Sequence, residues 1–305
     1  MNKPLVYILI LNWNGKEDTL ECLSSLKKID YPNYKTIVID NGSTDDSVKI
    51  INKKYPKIKI IENKKNLGYA EGNNVGIRYA LKNKADYVLI LNNDTIVDKK
   101  FLTELVKVGE SNEKVGIVGP KVYHYGTNKI QYLGIKNLFW NLVMYRKVVG
   151  RNKEDEGQFD SFTDVDAVAG CSTLIKSNVL KKIGVLDKEL FLYWEEVDLF
   201  QRAKKEGYKL KVATKSKVWH KGGATSKKVG GMTRYYIARN NFIFVKRYFN
   251  FWQRNLFLIK YLFLQFPIMI LFLLVKERNF KTIKDYSRGV GAGISYWKNK
   301  RIKKY

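Results

Sequence analysis

Through the first 120 residues of the chain, apolar runs of the length of a β-strand alternate with segments in which apolar residues have the spacing of a helix. Between the runs, apolar residues recur about every three or four positions, the spacing of a helix that buries one face. One such series is Leu20, Leu23, Leu26 and Ile29. Because wholly apolar strands are covered on both faces, the alternation predicts an α/β domain with a parallel sheet between helices. The predicted strands are residues 5–11, 35–40, 58–62, 87–91 and 115–119.

The pattern changes after residue 120. Residues 121–163 are rich in tyrosine, glycine, asparagine and charged residues, and they predict hairpins or a mobile excursion at the sheet edge. We expect further strands at residues 165–169 and 172–175, and a helix at residues 194–206 that Gly207 ends. From residue 232 onward the chain has helical character.

Polar clusters follow the first, second, third and fourth predicted strands. The carboxyl ends of the strands in an open α/β sheet form its ligand crevice. One such cluster is an ordinary turn and helix cap, but four in register favour a binding site. The clusters are Asn12-Trp13-Asn14-Gly15, Asp40-Asn41-Gly42-Ser43-Thr44-Asp45, Asn66-Leu67-Gly68-Tyr69 and Asn92-Asn93-Asp94-Thr95.

The class of ligand is narrowed by motifs that the sequence lacks. The first strand is not followed by Gly-x-Gly-x-x-Gly, and there is no Walker loop, so dinucleotide and P-loop sites lose support. Asp94 ends a buried strand and is suited to hold Mg²⁺ or Mn²⁺ against a diphosphate. The alternative for Asp94 is a cap of a helix over residues 99–108.

Three carboxylates, Glu195, Glu196 and Asp198, lie in the first turn of the predicted helix, and Arg202 follows on the same face. The helix dipole favours acidic residues at this position, so a solvated helix start is one interpretation. The aromatic neighbours Tyr193 and Trp194 favour another, because apolar surroundings raise the proton affinity of a carboxylate toward that of a general base.

Composition and net charge indicate the cellular setting of the protein and the class of partner that it attracts. The 305 residues are 45% hydrophobic, and two cysteines and two histidines give neither a disulfide framework nor a zinc ligand set, which fits a reducing cytoplasm. The net charge is +27, and residues 226–305 contain 18 Lys and Arg but 2 Asp and Glu. Such a field attracts anionic lipid, phosphorylated substrates or nucleic acid. We expect no nucleic acid partner, because no recognised binding motif is present.

Residues 256–275 form an apolar stretch of twenty residues with Lys260 as the single charge. That length just meets the roughly 20 residues that a spanning helix needs, but Lys260 and Pro267 shorten the uninterrupted part. An in-plane or re-entrant membrane helix is the first interpretation, a single span the second and a buried helix the third. Basic residues on both sides predict the cytoplasmic face of the cell membrane.

Further motifs accompany those described. In chain order the set is Asn14-Gly15, the Asp40-to-Asp45 run, Asn66-Leu67-Gly68 with Asn73-Asn74-x-Gly76, Leu91-Asn92-Asn93-Asp94, Gly170-Cys171, Glu195-Glu196-Val197-Asp198-Leu199 with Arg202, and Tyr235-Tyr236 with Arg239-Asn240. This series resembles the family 2 inverting glycosyltransferases of GT-A fold, most closely their rhamnosyltransferase-like branch. The resemblance covers about residues 5–241. It implies a Rossmann-like mixed sheet of the nucleotide-diphospho-sugar transferase type, followed by a helical, membrane-associating C-terminal extension.

The resemblance also implies roles for particular residues. Trp13 would stack near the nucleobase, and Asp40 would accept a hydrogen bond from its ring N–H. Asp94 would hold Mg²⁺ or Mn²⁺ as the acidic end of an Asp-x-Asp motif whose first residue is here Asn92, and His220 would approach the same metal. The implied donor-binding residues are Asn12, Trp13, Asn14, Asp40, Asn41, Ser43, Asn66, Gly68, Asn74, Asn92 and Asn93.

Glu196 occupies the position of the implied base, where the family usually has the Asp of a Glu-Asp pair. Glu195 and Asp198 remain alternatives for this role. The implied partners of the diphosphate or of an acceptor phosphate are Arg202, Lys221, Arg234 and Arg239. The glycine-rich, cationic residues 222–228 either close over the donor or form a solvated loop.

The implied function is transfer of a sugar, with inversion, from a nucleotide-diphosphate donor to a hydroxyl of a lipid-linked or cell-surface glycan. The donor implied by the branch is dTDP-rhamnose, or else a UDP-sugar, and the process is cell-envelope polysaccharide synthesis. Two alternatives are a nucleotidyltransferase that forms nucleotide-sugars and a non-catalytic polyanion- or membrane-binding protein. The predicted domains are a catalytic domain at residues 1–230, with donor half 1–120 and acceptor half 121–230, and a membrane-associated region at residues 231–305.

Overall fold

The computed structural model describes residues 3–136, 148–161, 163–222 and 231–299. Most of the predicted glycine-rich loop and part of the predicted excursion at residues 121–163 lie outside these ranges.

The first half alternates strands and helices as the hydrophobic pattern predicts. Strands β1 to β4 are parallel and lie in the order β3-β2-β1-β4. Their side chains divide between two buried clusters, one on each face of the sheet. The elements are β1 (Val6–Asn12), α1 (Lys16–Leu26), β2 (Tyr34–Asp40), α2 (Ser47–Lys54), β3 (Lys59–Glu62), α3 (Gly68–Lys82) and β4 (Tyr87–Asn92).

The second half turns the sheet into a mixed one. It contains β5 (Thr95–Val97), α4 (Phe101–Glu110), β6 (Val115–His124), β7 (Ile130–Tyr132), β8 (Asp164–Val165), β9 (Ser172–Lys176), α5 (Ser177–Ile183), α6 (Glu195–Lys205) and β10 (Lys209–His220). Strand β9 lies between β4 and β6 and is antiparallel to both. The last residues of β10 pair with β5, so that His220 lies opposite Thr95, next to Asp94.

Some predicted boundaries were wrong. The expected strand at residues 165–169 is reduced to β8, and Ala167 instead forms an isolated bridge with Ile135. Strand β6 continues past the predicted end at residue 119 to His124, because β10 pairs alongside it through Pro120. Strand β10 was not predicted, because lysines at alternate positions mask its apolar side. The helix expected at residues 194–206 is confirmed as α6.

After β10, the described residues contain three more helices: α7 (Gly231–Tyr248), α8 (Phe251–Glu277) and α9 (Phe280–Asn299). Helix α7 packs into the same core as the sheet, through Ala238 and Phe244 among others. Helix α9 packs closely along α7, because a Cβ at Gly289 or Gly293 would collide with α7. Helix α8 is mostly exposed, and 11% of its most apolar 18-residue stretch is buried.

Candidate active site

The carboxyl ends of β1 and β2 are joined by a buried amide and carboxylate. Asn12 and Asp40 are register partners, and Asn12 Nδ2 donates to Asp40 Oδ1 at 2.8 Å. The Oδ1 atom of Asn12 accepts from Thr19 Oγ1 of α1 at 2.8 Å. Asn12 is fully buried, so it fixes the relative positions of three elements beneath the crevice.

Asp40 also organises the loop that follows it. Its two carboxylate oxygens accept from Ser43 Oγ at 2.6 Å and from Ser43 N at 2.9 Å. Asn14, which has a left-handed backbone (φ 49°), donates its N–H to Ser43 Oγ at 2.9 Å. Trp13 is half-buried between these residues. Trp13 and Asp40, the residues predicted to bind the nucleobase, thus lie together at the ends of β1 and β2, where contacts within the protein orient them.

Asn41 joins the end of β2 to the loop before α3. Its Nδ2 donates to Asn66 Oδ1 at 3.0 Å and to the Gly68 carbonyl at 3.1 Å. Gly68 has a positive φ of 79°, and a Cβ there would overlap the Phe191 ring. The N–H groups of Tyr69 and Ala70 donate to the Phe191 carbonyl at 2.7 and 3.1 Å. The start of α3 therefore contacts the segment that precedes the acidic cluster.

Asn74 lies apart from the other predicted donor-binding residues. It is 1% exposed, its Nδ2 donates to the Leu186 carbonyl at 2.8 Å, and its Oδ1 accepts from Leu186 N at 3.0 Å. These bonds fasten α3 to the segment after α5. The structure thus gives Asn74 a scaffolding role in place of the predicted contact with the donor.

The end of β4 contributes Asn92 and Asn93. Tyr69 donates its hydroxyl to Asn92 Oδ1 at 3.0 Å and lies 3.2 Å from the Gly170 carbonyl. Burial raises the pKa of Tyr69 well above its usual value, and the negative charge of Glu196 adds to this. Asn93 Nδ2 donates to Thr19 Oγ1 at 3.1 Å. Tyr69 was missing from the predicted site, although its position directly after Gly68 was a usable signal.

Asp94 and His220 form the candidate metal site. The carboxylate is 6% exposed, and its Oδ1 lies 3.2 Å from His220 Nε2. The Oε1 atom of Gln131 lies 2.7 Å from His220 Nδ1, and its Nε2 donates to the His220 carbonyl at 3.2 Å. The second contact orients the Gln131 amide, so Oε1 is the atom that accepts from Nδ1–H. When His220 is neutral and carries its proton on Nδ1, the lone pair of Nε2 faces Asp94.

This donor set fits a divalent cation. A carboxylate oxygen and an imidazole lone pair that face each other repel unless a proton or a cation lies between them. In the described part of the chain no group of three His, Cys, Asp or Glu side chains converges as a metal cluster. The two ligands therefore suit an open site of the kind Mg²⁺ and Mn²⁺ occupy, with diphosphate and water oxygens as the other ligands.

Glu195 and Glu196 begin α6 and lie near the Gly170–Cys171 turn and Tyr69. Glu195 is 1% exposed, and burial together with the charge of Glu196 raises its pKa well above the usual range. The Glu196 carboxylate lies over Gly170, where a Cβ would overlap it. Burial raises the pKa of the Cys171 thiol, and the charges of Asp94 and Glu196 both add to this increase. The carboxylates of Glu196 and Asp94 therefore both lie close to the Gly170–Cys171 turn.

Asp198, the third carboxylate, lies outside the crevice. It is fully buried, and its Oδ2 accepts from Arg202 Nε at 2.9 Å. Its Oδ1 accepts from Arg247 Nη1 at 3.1 Å and from the Tyr248 hydroxyl at 2.8 Å. Both oxygens thus bind donors, two of them cationic, and Asp198 joins α6 to α7.

The four predicted cations also have partners within the protein. Arg202 is 3% exposed and donates to the carbonyls of residues 183–185 besides Asp198, so it does not reach the crevice. Lys221 donates to Asp18 and Glu21 of α1, at 2.7 and 2.6 Å. Arg234 pairs with Glu277 at 2.8 Å. Arg239 donates to the carbonyls of Glu189 and Leu190 and lies over the rings of Tyr235 and Tyr236.

A mixed α/β sheet, with its polar crevice at the strand ends and carboxylates beside it, is the arrangement of a GT-A transferase. Residues 7–184 match Glycosyl transferase family 2. The chain belongs to this family and is a glycosyltransferase, which confirms the class that the motifs implied.

Curated relatives agree with this class. The dTDP-rhamnosyl transferase RfbF of Shigella flexneri is 25% identical over 250 residues, 79% of this chain and 80% of that protein. The low-salt glycan biosynthesis hexosyltransferase Agl10 of Haloferax volcanii is 26% identical over 65% of this chain. A poly-beta-1,6-N-acetyl-D-glucosamine synthase of Staphylococcus epidermidis is 25% identical over 70% of this chain. The matches span 61% of Agl10 and 49% of the synthase.

Solved structures support the fold. The mannosyltransferase PcManGT from Pyrobaculum calidifontis, in complex with GDP-Man and Mn²⁺, superposes with a TM-score of 0.59 at 16% identity, over 98% of this chain and 89% of that one. GalNAc-T7, crystallised with UDP, GalNAc and Mn²⁺, has a TM-score of 0.58 at 18% identity, over 72% of this chain and 44% of that one. The predicted GT-A fold is confirmed.

Proposed function

We propose that this glycosyltransferase transfers a sugar, with inversion, from a nucleotide-diphosphate donor to a hydroxyl of a lipid-linked or cell-surface glycan. One observation carries the proposal. Glu196 and the Asp94–His220 pair both lie close to the same turn, Gly170–Cys171, at the carboxyl edge of the sheet. The relative RfbF supports dTDP-rhamnose as the first donor to test and UDP-sugars as the second.

The two groups would do different chemistry. The Glu196 carboxylate takes the proton of the acceptor hydroxyl, whose oxygen bonds to the anomeric carbon as the carbon–oxygen bond to the diphosphate breaks. Attack from the face opposite the diphosphate inverts the anomeric configuration. Asp94 Oδ1 and His220 Nε2 would hold Mg²⁺ or Mn²⁺, which compensates the charge of the departing diphosphate. Around them, Asn12, Asp40 and Asn41 keep the nucleotide side of the crevice rigid.

Among the three carboxylates, Glu196 is the best candidate for the base. Asp198 is fully buried and both of its oxygens accept hydrogen bonds from neighbouring side chains, so neither oxygen is open to an acceptor hydroxyl. Glu195 is 1% exposed, so its carboxyl is closed to an acceptor hydroxyl, and burial raises its pKa well above the usual range. Glu196 is partly exposed and lies over Gly170, beside Tyr69.

We assign the membrane-facing role to α8, in the plane of the cytoplasmic surface. Phe263 is 80% exposed and Leu271 is 62% exposed, and both belong to a long apolar face. The opposite face is buried at Phe257, Tyr261 and Leu273. By length and composition alone, α8 is also long and apolar enough to span a membrane. A helix with one side packed against protein, however, suits an in-plane position better.

Contacts at both ends of α8 support the in-plane arrangement. Arg254 donates to the Lys246 carbonyl at 2.6 Å, and Glu277 pairs with Arg234, so each end is joined to α7. Helix α9 beside it exposes Lys281, Lys284 and Lys298, which suit anionic headgroups. On this basis residues 1–230 are the catalytic domain and residues 231–305 the membrane-associated region.

The test is release of nucleoside diphosphate from a panel of nucleotide-sugars by membranes that contain native acceptors. We expect release from one donor with Mg²⁺ or Mn²⁺, lost with chelator and in Asp94→Ala and Glu196→Gln. Glu206→Gln, an exposed change at the residue that follows the same helix, is the matched control. Formation of nucleotide-sugar from a nucleoside triphosphate and a sugar phosphate would instead establish a nucleotidyltransferase. Donor binding without turnover would establish a non-catalytic protein.

A further inference from the structure

The segment before the acidic cluster has an unusual backbone. Phe191, Tyr193 and Trp194 have positive φ values of 61°, 66° and 78°. Residues that carry a Cβ are strained in this left-handed region, so the surroundings must hold them there. Trp194 immediately precedes α6. The direction of the first turn of α6, which carries Glu195 and Glu196, therefore depends on this segment.

Asn240 of α7 binds the segment from one side. Its Nδ2 donates to the carbonyls of Leu190 at 2.8 Å, Leu192 at 3.0 Å and Tyr193 at 2.8 Å. Its Oδ1 accepts from Arg239 Nε at 2.8 Å, which fixes the orientation of the amide. Asn240 is fully buried, so it does not touch the donor or the acceptor.

The segment is bound from the other side by α3. The Phe191 carbonyl accepts from the N–H groups of Tyr69 and Ala70, and the Phe191 ring lies against Gly68. The left-handed turns allow three carbonyls of the segment to point toward the Asn240 amide. They also allow a fourth carbonyl, that of Phe191, to point toward the start of α3. Loss of the Asn240 amide would remove the donors on one side and allow the segment to relax.

We infer that Asn240 is a positioning residue for the general base: its amide holds the left-handed segment 190–194 and thereby keeps the Glu196 carboxylate over Gly170. The inference rests on the proposed role of Glu196. It assigns to α7 a function in the reaction besides its place in the core.

Two variants test the inference in the full chain. Asn240→Asp keeps the size of the side chain but replaces the donor by an acceptor, and Asn240→Ala removes both. We expect kcat for nucleoside diphosphate release to fall by about 10- to 100-fold, as for a base displaced by about 1 Å. The KM for the donor should stay within about twofold, because the Asn12–Asp40–Ser43 contacts of the nucleotide side do not involve Asn240. The matched control is Asn83→Asp, which removes one bond, to the Tyr79 carbonyl, at the far end of α3.

Amide hydrogen exchange supplies a second readout that does not need turnover. In the absence of donor, Asn240→Asp should accelerate exchange at Tyr69 and Ala70, whose N–H groups bind the Phe191 carbonyl. Asn83→Asp should leave those amides unchanged. Unchanged exchange, or a normal kcat in Asn240→Asp, would overturn the inference. If the unaltered protein releases no nucleoside diphosphate, the proposed function fails, while the exchange experiment still tests whether Asn240 holds the segment.

Discussion

The Oδ1 oxygen of Asp94 and the Nε2 nitrogen of His220 lie 3.2 Å apart, although the two residues belong to distant parts of the sequence. Pairing of β10 with β5 brings them together, and Gln131 orients the imidazole through Nδ1. In neutral His220 the lone pair of Nε2 and a carboxylate oxygen then face each other, an arrangement that a divalent cation would stabilise.

Gln131 should therefore control metal affinity without binding the metal. Gln131→Leu removes the acceptor that selects the Nδ1–H tautomer, and we expect the Mn²⁺ concentration for half-maximal turnover to rise about 10- to 100-fold. The measurement is a metal titration of nucleoside diphosphate release. Gln158→Leu, a change of an exposed glutamine, should leave the titration unchanged. Equal metal requirements in Gln131→Leu and the unaltered protein would contradict the assigned tautomer.

Gly170→Ala should inactivate the enzyme while the fold is retained. The added Cβ overlaps the end of the flexible Glu196 side chain, which can rotate away at little cost in stability. A displacement of about 1 Å at the base is expected to lower kcat by about 100-fold. Turnover and the thermal midpoint should be measured on the same preparation. A large loss of stability, or normal turnover, would count against the place of Glu196.

Glu195 should make the protein less stable as pH rises. Burial and the charge of Glu196 raise its folded-state pKa above the unfolded value near 4.5, so the folded state binds the proton more tightly. Its contribution is fully favourable below the unfolded pKa and is lost as pH increases toward the folded pKa. Glu195→Gln should therefore raise the thermal midpoint at pH 8 more than at pH 5. An equal shift at both values would show that Glu195 is ionised in the folded protein.

We expect substitution of Asp198 to lower the free energy of unfolding, because its carboxylate has a structural role. Asp198→Ala leaves the buried Arg202 guanidinium without its carboxylate partner, and breaking a buried pair in this way costs about 3–5 kcal/mol. The free energy of unfolding in urea measures this. Lys182→Ala removes an exposed ion pair with Glu206 and should change little. A stable but inactive Asp198→Ala protein would return Asp198 to the list of candidate bases.

The apolar face of α8 should bind lipid. Phe263→Ser and Leu271→Ser each remove a large exposed side chain, and each should weaken binding to vesicles by about tenfold or more. Vesicles of phosphatidylcholine with and without phosphatidylglycerol separate the apolar contribution from the ionic one, which salt should suppress. Asn255→Ser, on the same helix, is the control. Recovery of the unaltered protein in the soluble fraction after mixing with anionic vesicles would contradict the assignment.

Local pattern predicted much of the fold because it reflects burial directly. Strands β1, β2 and β4 are buried on both faces, so their apolar runs are continuous and their polar ends mark the crevice. Strand β10 escaped prediction because it is exposed on alternate positions, and Ala167 leaves the expected strand because its pairing partner is the distant Ile135. Pairing between distant segments is not encoded in local periodicity.

Residue type and spacing along single segments were enough to predict the class of enzyme, the crevice at the strand ends and the apolar, basic C-terminal region. The tertiary structure alone decided which side chains face that crevice. Asp198 and Arg202 share the helix of Glu196 but point to its buried side, where they pair with each other. Asn240, distant in sequence, reaches the segment before Glu196 because α7 packs against it. Orientation around a helix axis and contacts between distant segments depend on packing of the whole chain, and those decided the roles.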